Sequence, residues 1–106
     1  MIKKVFTIHD SAVNAYLQPF FLSTEAEAIR AMQTCLLDKN HKFATHPQDY
    51  TLFYLCDFDD NNSKFSDHHM LSLGNLVEFQ QIIEEPSIPK SDIPELQNRF
   101  SLANGG

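Results

Sequence analysis

Basic residues are scarce in this chain: 8 Lys and Arg stand against 14 Asp and Glu, which gives a formal net charge of −6. Broad contact with a phosphate backbone needs clustered Lys and Arg, so the composition argues against extensive, charge-driven nucleic-acid binding. A local basic face stays open as an alternative, if the dispersed cations meet in space. These cations are Lys3, Lys4, Arg30, Lys39, Lys42 and Lys64.

The usual signatures of catalytic and metal sites are missing as well. The two cysteines, Cys35 and Cys56, do not form a CxxC, which excludes the common zinc and redox spacings. We expect both to be small, buried, apolar side chains of a reduced protein. The sequence has neither a Gly-rich phosphate loop nor a nucleophile elbow. We therefore predict a protein that is not an enzyme, without catalytic, cofactor-binding or metal-binding residues.

Long hydrophobic runs are also lacking. No stretch approaches the roughly 18 apolar residues of a membrane helix, and the first residues lack the apolar core of a signal peptide. We expect no membrane partner and a cytoplasmic location.

Apolar residues make up 42% of the 106 residues, with 9 Phe and 3 Tyr. This content predicts a packed core in one domain. We place that compact domain at residues 1–85. Prolines, scattered charges and a Gly-Gly end predict a flexible tail at residues 86–106.

A main helix is predicted at residues 25–37. Thr24 and Glu27 have the spacing of a capping box at its start, and apolar residues recur along it with helical period. A polar connection is expected at residues 41–49. Asn75, which follows Gly74, is a suitable cap for a second, short helix at residues 76–84.

Alternating apolar residues predict strands at residues 5–9 and 50–57, the second of them central and flanked on both sides. Residues 15–22 are extended but belong at an edge, because Pro19 cannot donate to a sheet. An acidic turn at residues 59–62 predicts a hairpin into a short strand. The chain is thus predicted to be α+β, with a small, mainly antiparallel sheet and the main helix packed on one face.

Two metal hypotheses arise around the acidic turn. Asp57-x-Asp59-x-Asn61 matches the opening of a calcium loop, but its sixth position is not Gly and its twelfth is His68 rather than Glu. An ordinary acidic turn is the preferred interpretation. His68-His69 beside Asp67 is conceivable as a divalent-metal patch, although a solvated loop suits adjacent histidines better.

Aromatic side chains suggest the candidate interaction surface. Tyr16 and the Phe20-Phe21 pair invite base stacking, yet without interleaved basic residues core packing is the stronger explanation. One of the two Phe rings is expected to face outward on an edge strand, where a protein partner can add a strand or a symmetric homodimer can form. We predict that surface to comprise Phe20, Phe21, Arg30, Lys39 and Lys42.

Several short pieces resemble one family. In order and spacing they are similar to the small nonstructural protein of gokushovirus-type Microviridae, which are single-stranded DNA phages. That protein is the product of their fifth open reading frame and is grouped with the microvirus C protein. The resemblance covers about residues 5 to 65, more weakly residues 71–76. Cys56 stands where the family has Gly, and Asn61-Asn62 replace its hairpin Gly. The pieces are Gln18-Pro19-Phe20-Phe21, Ala28-Ile29-Arg30, His46-Pro47-x-Asp49-Tyr50-x-Leu52-Phe53 and Phe58-Asp59-Asp60.

The resemblance implies a non-enzymatic accessory protein in the host bacterial cytoplasm that assists viral DNA replication and packaging. Its implied partners are phage replication or procapsid proteins, with single-stranded DNA contacted weakly or locally. The alternative is a protein-interaction adaptor that acts on a host factor, or a dimeric structural accessory. A metal-dependent hydrolase is a third and more remote class.

Overall fold

The structure is a computed structural model that describes residues 1–67 and 70–84. The predicted tail at residues 86–106 and the His68-His69 pair lie outside the described residues.

One mainly antiparallel sheet carries the fold, as the sequence predicts. Its two long strands pair with each other, and every shorter strand joins one of them: β2 and β3 pair with β1, while β5 and β6 pair with β4. All these pairings are antiparallel. The strands are β1 Ile2–Asp10, β2 Ala15–Tyr16, β3 Phe20–Leu22, β4 Tyr50–Asp59, β5 Lys64–Phe65 and β6 Leu71–Asn75.

The edge and centre of the sheet follow the sequence pattern. The extended segment that contains Pro19 divides into β2 and β3, and both pair with the outer side of β1. β4 lies between β1 and the pair β5 and β6, so its predicted central position is confirmed.

Helix α1 spans Glu25–Leu37, the range that the sequence predicts. The Thr24 side chain accepts a hydrogen bond from the Glu27 backbone N–H at 3.2 Å. The Glu27 carboxylate accepts from the Ser23 N–H at 3.3 Å, one residue earlier than in the standard capping box. Both bonds satisfy backbone donors near the helix start.

The predicted polar connection at residues 41–49 is wrong in part. It contains the short helix α2, Lys42–Thr45, and a 3₁₀ turn, Pro47–Asp49. The His41 ring nitrogen accepts from the Phe43 N–H at 3.0 Å, and the Phe43 ring packs 4.6 Å from that of Tyr50. A four-residue helix is too short to show a helical period in the sequence, so the sequence gives no sign of α2. The helix is stabilised by the packing of Phe43 in the core.

All three helices within the described residues contribute to a core on one side of the sheet, here called the core face. Helix α3, Leu76–Glu84, is capped by Asn75, whose side chain accepts from the Val77 N–H at 3.0 Å. The prediction of a second helix is therefore confirmed. The buried residues of this core are Phe6, Ile8, Ala28, Met32, Leu36, Phe43, Tyr50, Leu52, Tyr54, Leu76 and Phe79.

A β-bulge interrupts the pairing of β1 with β4. Phe6 lies opposite Tyr54 and Val5 lies opposite Cys56, so Leu55 is one extra residue in β4. The strand continues through Cys56, where the resembled family has Gly. This irregularity reverses the facing of every β4 residue that follows it.

A side chain at Gly74 would be strained by both the backbone and its neighbours. Its φ of +138° lies where L-residues are strained. A Cβ there would come within 2.6 Å of the Glu78 Oε2 atom and 3.3 Å of the Phe79 ring. Glu78 cannot easily yield, because that same oxygen accepts from the Asn75 N–H at 2.7 Å.

We predict that Gly74→Ala lowers the free energy of unfolding by about 1–3 kcal/mol, from backbone strain and a displaced helix cap. Urea denaturation followed by circular dichroism measures the change. Ser72→Ala, an exposed position of the same strand, is the matched control and should change stability by less than about 0.5 kcal/mol. Equal stability of the two variants would contradict the role assigned to Gly74.

Candidate interaction surface

The two phenylalanines of β3 lie on opposite faces of the sheet, because successive strand residues alternate. The Phe20 ring packs on Phe6 at 5.7 Å between centroids, within the core. Phe21 lies opposite Val5 and is 43% exposed. One ring of the pair thus faces outward, as the sequence predicts.

The three cations of the predicted surface are exposed on the helix side of the molecule. Arg30 belongs to α1, Lys39 follows it, and Lys42 begins α2. The Lys42 ammonium lies 5.9 Å from the ring centroids of both Phe43 and Tyr50. The predicted surface is therefore divided: these cations and Phe20 are on the helix side, and Phe21 is on the other.

The alternative of one basic face is not supported at β1, where two of the cations point to opposite sides. Lys3 and Lys4 are consecutive, so they point to opposite faces. Lys4 is engaged on the core face, with its ammonium 3.9 Å from Asp57 and 4.7 Å from the Tyr54 ring centroid. The six cations named from the sequence therefore do not share one face.

The side of the sheet opposite the core face presents a set of aromatic rings, here called the open aromatic face. None of the three described helices packs on it, since all of them contribute to the core on the other side. Its rings belong to Tyr16, Phe21, Phe53, Phe58 and Phe65.

The rings of this face form two groups. At one end the Tyr16 ring lies 4.7 Å from that of His9 and 6.1 Å from that of Phe53. At the other end Phe58 lies 5.4 Å from Phe21 and 4.8 Å from Phe65. The strand residues Val5 and Thr7 between the two groups are only 3% and 2% exposed. The accessible apolar surface therefore belongs to the rings at both ends.

The bulge at Leu55 determines the composition of the open aromatic face. Without an extra residue, Phe58 would alternate onto the core face and Asp57 would point to the opposite side. With it, Phe58 pairs with Lys3 and joins the aromatic rings, while Asp57 pairs with Lys4 on the core face. This one extra residue therefore puts the Phe58 ring, and not the Asp57 carboxylate, on the open aromatic face.

The acidic turn is occupied by local interactions. The Asp59 carboxylate accepts from the Asn61 N–H at 2.9 Å, and Asp60 contacts the N-terminal ammonium at 2.7 Å. Asp57 accepts a hydrogen bond from the Tyr54 hydroxyl. No group of three potential metal ligands occurs within residues 1–67 and 70–84; His68 and His69, which belong to the divalent-metal hypothesis, are outside that range.

Cys35 and Cys56 are half-buried, which corrects the expectation that both are buried. Burial raises the pKa of the Cys35 thiol, and the nearby Asp38 adds to the effect. Burial, followed by the charge of Asp57, raises the pKa of Cys56 in the same direction. Both thiols therefore favour the protonated form, the opposite of what activates a nucleophile.

An apolar groove opens on the helix side, between α1 and the chain that enters β3. It has a volume of about 320 Å³. Ile8 and Met32 form part of its wall, and Gln18 is its polar member; the remaining lining residues are Leu17, Phe20, Ala31 and Phe43. Apart from Phe20, the predicted surface residues do not contribute to it.

Sequence reasoning missed Phe53, Phe58 and Phe65 as surface residues. The strand at residues 50–57 was predicted to be flanked on both sides, which is wrong for one face: the three described helices pack on the core face alone. An apolar strand gives no sign of which of its faces is exposed. A bulge leaves little trace in a single sequence. Tyr16 was considered and assigned to the core, but it is 53% exposed.

No helix within the described parts of the chain is long and apolar enough to cross a membrane. A family model described as Phage ORF5 protein matches residues 3–79. This match includes β4, α1, all of β1 except Ile2, and the beginning of α3. Neither a curated protein nor a solved structure matches the chain.

The Tyr54 hydroxyl provides a pH-dependent test of this part of the sheet. Its hydrogen bond to Asp57, together with burial, raises the pKa of Tyr54 from 10.0 to about 12. Above pH 10 the unfolded chain releases the phenolic proton while the folded chain retains it, so stability falls between about pH 10 and 12.

We predict that wild type loses about 1–3 kcal/mol more stability than Tyr54→Phe across that range. Denaturant titrations at several pH values measure the difference. Asp57→Asn, which removes the main cause of the shift, should reduce the loss as well. Some loss remains in both variants, because burial and the carboxylates of Asp10 and Asp49 raise the pKa of Tyr50 too. Identical pH profiles for wild type and Tyr54→Phe would contradict the assignment.

Proposed function

Because the chain belongs to the phage ORF5 protein family, which matches residues 3–79, we propose that it assists viral DNA replication and packaging by binding, without catalysis. The family match carries this proposal. As part of it we assign the virus to the gokushovirus-type Microviridae, on the motif pieces found between residues 5 and 65. The site of action is then the host bacterial cytoplasm, where the phage genome replicates.

Two features of the described residues support action by binding. The open aromatic face exposes several rings, and aromatic side chains are typical of recognition surfaces. Both cysteine thiols have pKa values above the ordinary range, which disfavours thiolate chemistry at neutral pH. The partners that we propose are the phage replication or procapsid proteins, together with a local contact to single-stranded DNA.

A protein-interaction adaptor that acts on a host factor is the second candidate. The exposed rings of Tyr16, Phe21 and Phe65 favour it as well, since aromatic residues are enriched at protein interfaces. A homodimer remains part of this alternative, because the short strands β2 and β3 lie at the edge of the sheet.

Infection by a phage with an early stop codon in this gene tests the proposal. We expect duplex replicative DNA to accumulate while single-stranded genomes and filled particles decline. Strand-specific hybridisation and particle counts measure both. A synonymous change at the same codon is the matched control, and wild-type protein supplied in trans should restore the single-stranded genomes.

Normal yields of single-stranded genomes in the stop-codon phage would contradict a role in replication or packaging. Affinity purification of the tagged chain from infected cells distinguishes the two candidates. Recovery of phage initiator or procapsid proteins supports the proposal, and recovery of a host protein alone supports the adaptor.

A further inference from the structure

We infer that the open aromatic face binds single-stranded DNA by stacking bases on its rings. Sheet faces that expose aromatic side chains are a recurrent means of binding single-stranded nucleic acid. The choice of DNA over other stacking ligands rests on the proposed function, whereas the location of the site rests on the geometry of the sheet.

The charge of the face fits an anionic ligand. The chain carries 14 acidic residues, yet within residues 1–67 and 70–84 no strand residue that points to this side is Asp or Glu. The strand carboxylates Asp10, Asp57 and Asp59 alternate to the other side. Lys3 and His9 are the basic strand residues that share the open aromatic face with the rings, so the described strands of this face do not repel a phosphate backbone.

The two groups of rings serve as separate stacking platforms. Tyr16 is 53% exposed at one end, and Phe21 and Phe65 are 43% and 58% exposed at the other. Phe58 is five positions after Phe53 in β4, which corresponds to roughly 15 Å along the strand. A ligand that contacts both platforms must be extended along the strand direction. A flexible single strand meets this requirement, whereas a duplex hides the faces of its bases.

A second copy of the chain is the main competing occupant, and the charge argues against it. Packing two such faces together would remove Lys3 and His9 of both copies from water without bringing any strand carboxylate opposite them. The centre of the face also offers little further apolar area to bury, because Val5 and Thr7 are already covered.

The salt dependence of binding is a distinctive expectation. With one lysine among the described strand residues of the face, few counterions are released, so the binding constant should fall with salt with a log–log slope no steeper than about −2. Fluorescence anisotropy of a labelled oligothymidylate of about 16 nucleotides, titrated with the full chain, measures it. Lys3→Gln should make the slope shallower by roughly 0.7. A much steeper slope would place the contact on lysines elsewhere and overturn the inference.

Substitutions at Phe65 separate stacking from general apolar contact. Phe65→Tyr keeps a ring and should bind the oligonucleotide like wild type. Phe65→Leu keeps apolar area without a ring and should bind at least about fivefold more weakly. Leu37→Ala, at the exposed end of α1 on the helix side, is the control and should change nothing. Equal binding by the Tyr and Leu variants would overturn stacking at this position.

Tyr16 provides an intrinsic probe. The chain has 3 Tyr and no Trp, and Tyr50 and Tyr54 are only 6% and 5% exposed. Stacking of a base on Tyr16 should therefore quench most of the tyrosine fluorescence that DNA can reach. Tyr16→Phe should abolish the quenching while the anisotropy titration still reports binding. Quenching that persists in this variant would overturn the placement of a base at Tyr16.

The remaining outcomes are also decisive. Failure of the purified chain to bind the oligothymidylate overturns the inference. A dimer detected by light scattering, retained in Phe65→Leu but disrupted in Phe65→Ala, also overturns it, because such a dimer would assign the face to a second copy of the chain. Tighter binding of an oligouridylate than of the oligothymidylate assigns the face to RNA instead. Loss of single-stranded genomes in the stop-codon phage without DNA binding in vitro would leave the proposed function intact and remove this inference alone.

Discussion

The antiparallel pairing of β1 with β4 is the constraint on which the rest of the structure depends. It aligns Ile2–Asp10 with Tyr50–Asp59 and joins residues between 40 (Asp10 and Tyr50) and 57 (Ile2 and Asp59) positions apart in the chain. Every other described strand attaches to one of these two, and the three described helices cover a single face. Because side chains alternate along a strand, this one register decides which residues enter the core.

The bulge at Leu55 modifies that register at one point, with consequences for both faces. Before it, Tyr54 belongs to the core face; after it, Phe58 belongs to the open aromatic face and Asp57 to the core face. The acidic residue gains the Tyr54 hydroxyl and Lys4 as neighbours, and the ring gains Phe21 and Phe65. The electrostatic character of the candidate site therefore follows from a backbone irregularity more than from composition.

Local signals account for the elements that sequence reasoning predicted correctly. The Thr24 and Glu27 spacing together with a regular apolar period defines α1, and Gly74 followed by Asn75 defines the start of α3. These signals act over three or four residues, so one sequence contains them in full. Helix α2 has no comparable local signal, because it is stabilised by the packing of Phe43 against Tyr50 in the core.

The sequence by itself determined the α+β class, the main helix, the central strand and the membership of a phage family, since local propensity, period and motif order are properties of the chain. Only the tertiary structure decided which aromatic residues are core and which are surface. That decision depends on strand alternation, on the bulge at Leu55 and on helices that pack against one side of the sheet alone. Phe20 and Phe21 show the difference plainly: the two are the same residue type in adjacent positions, and the pleat of one strand sends them to opposite faces.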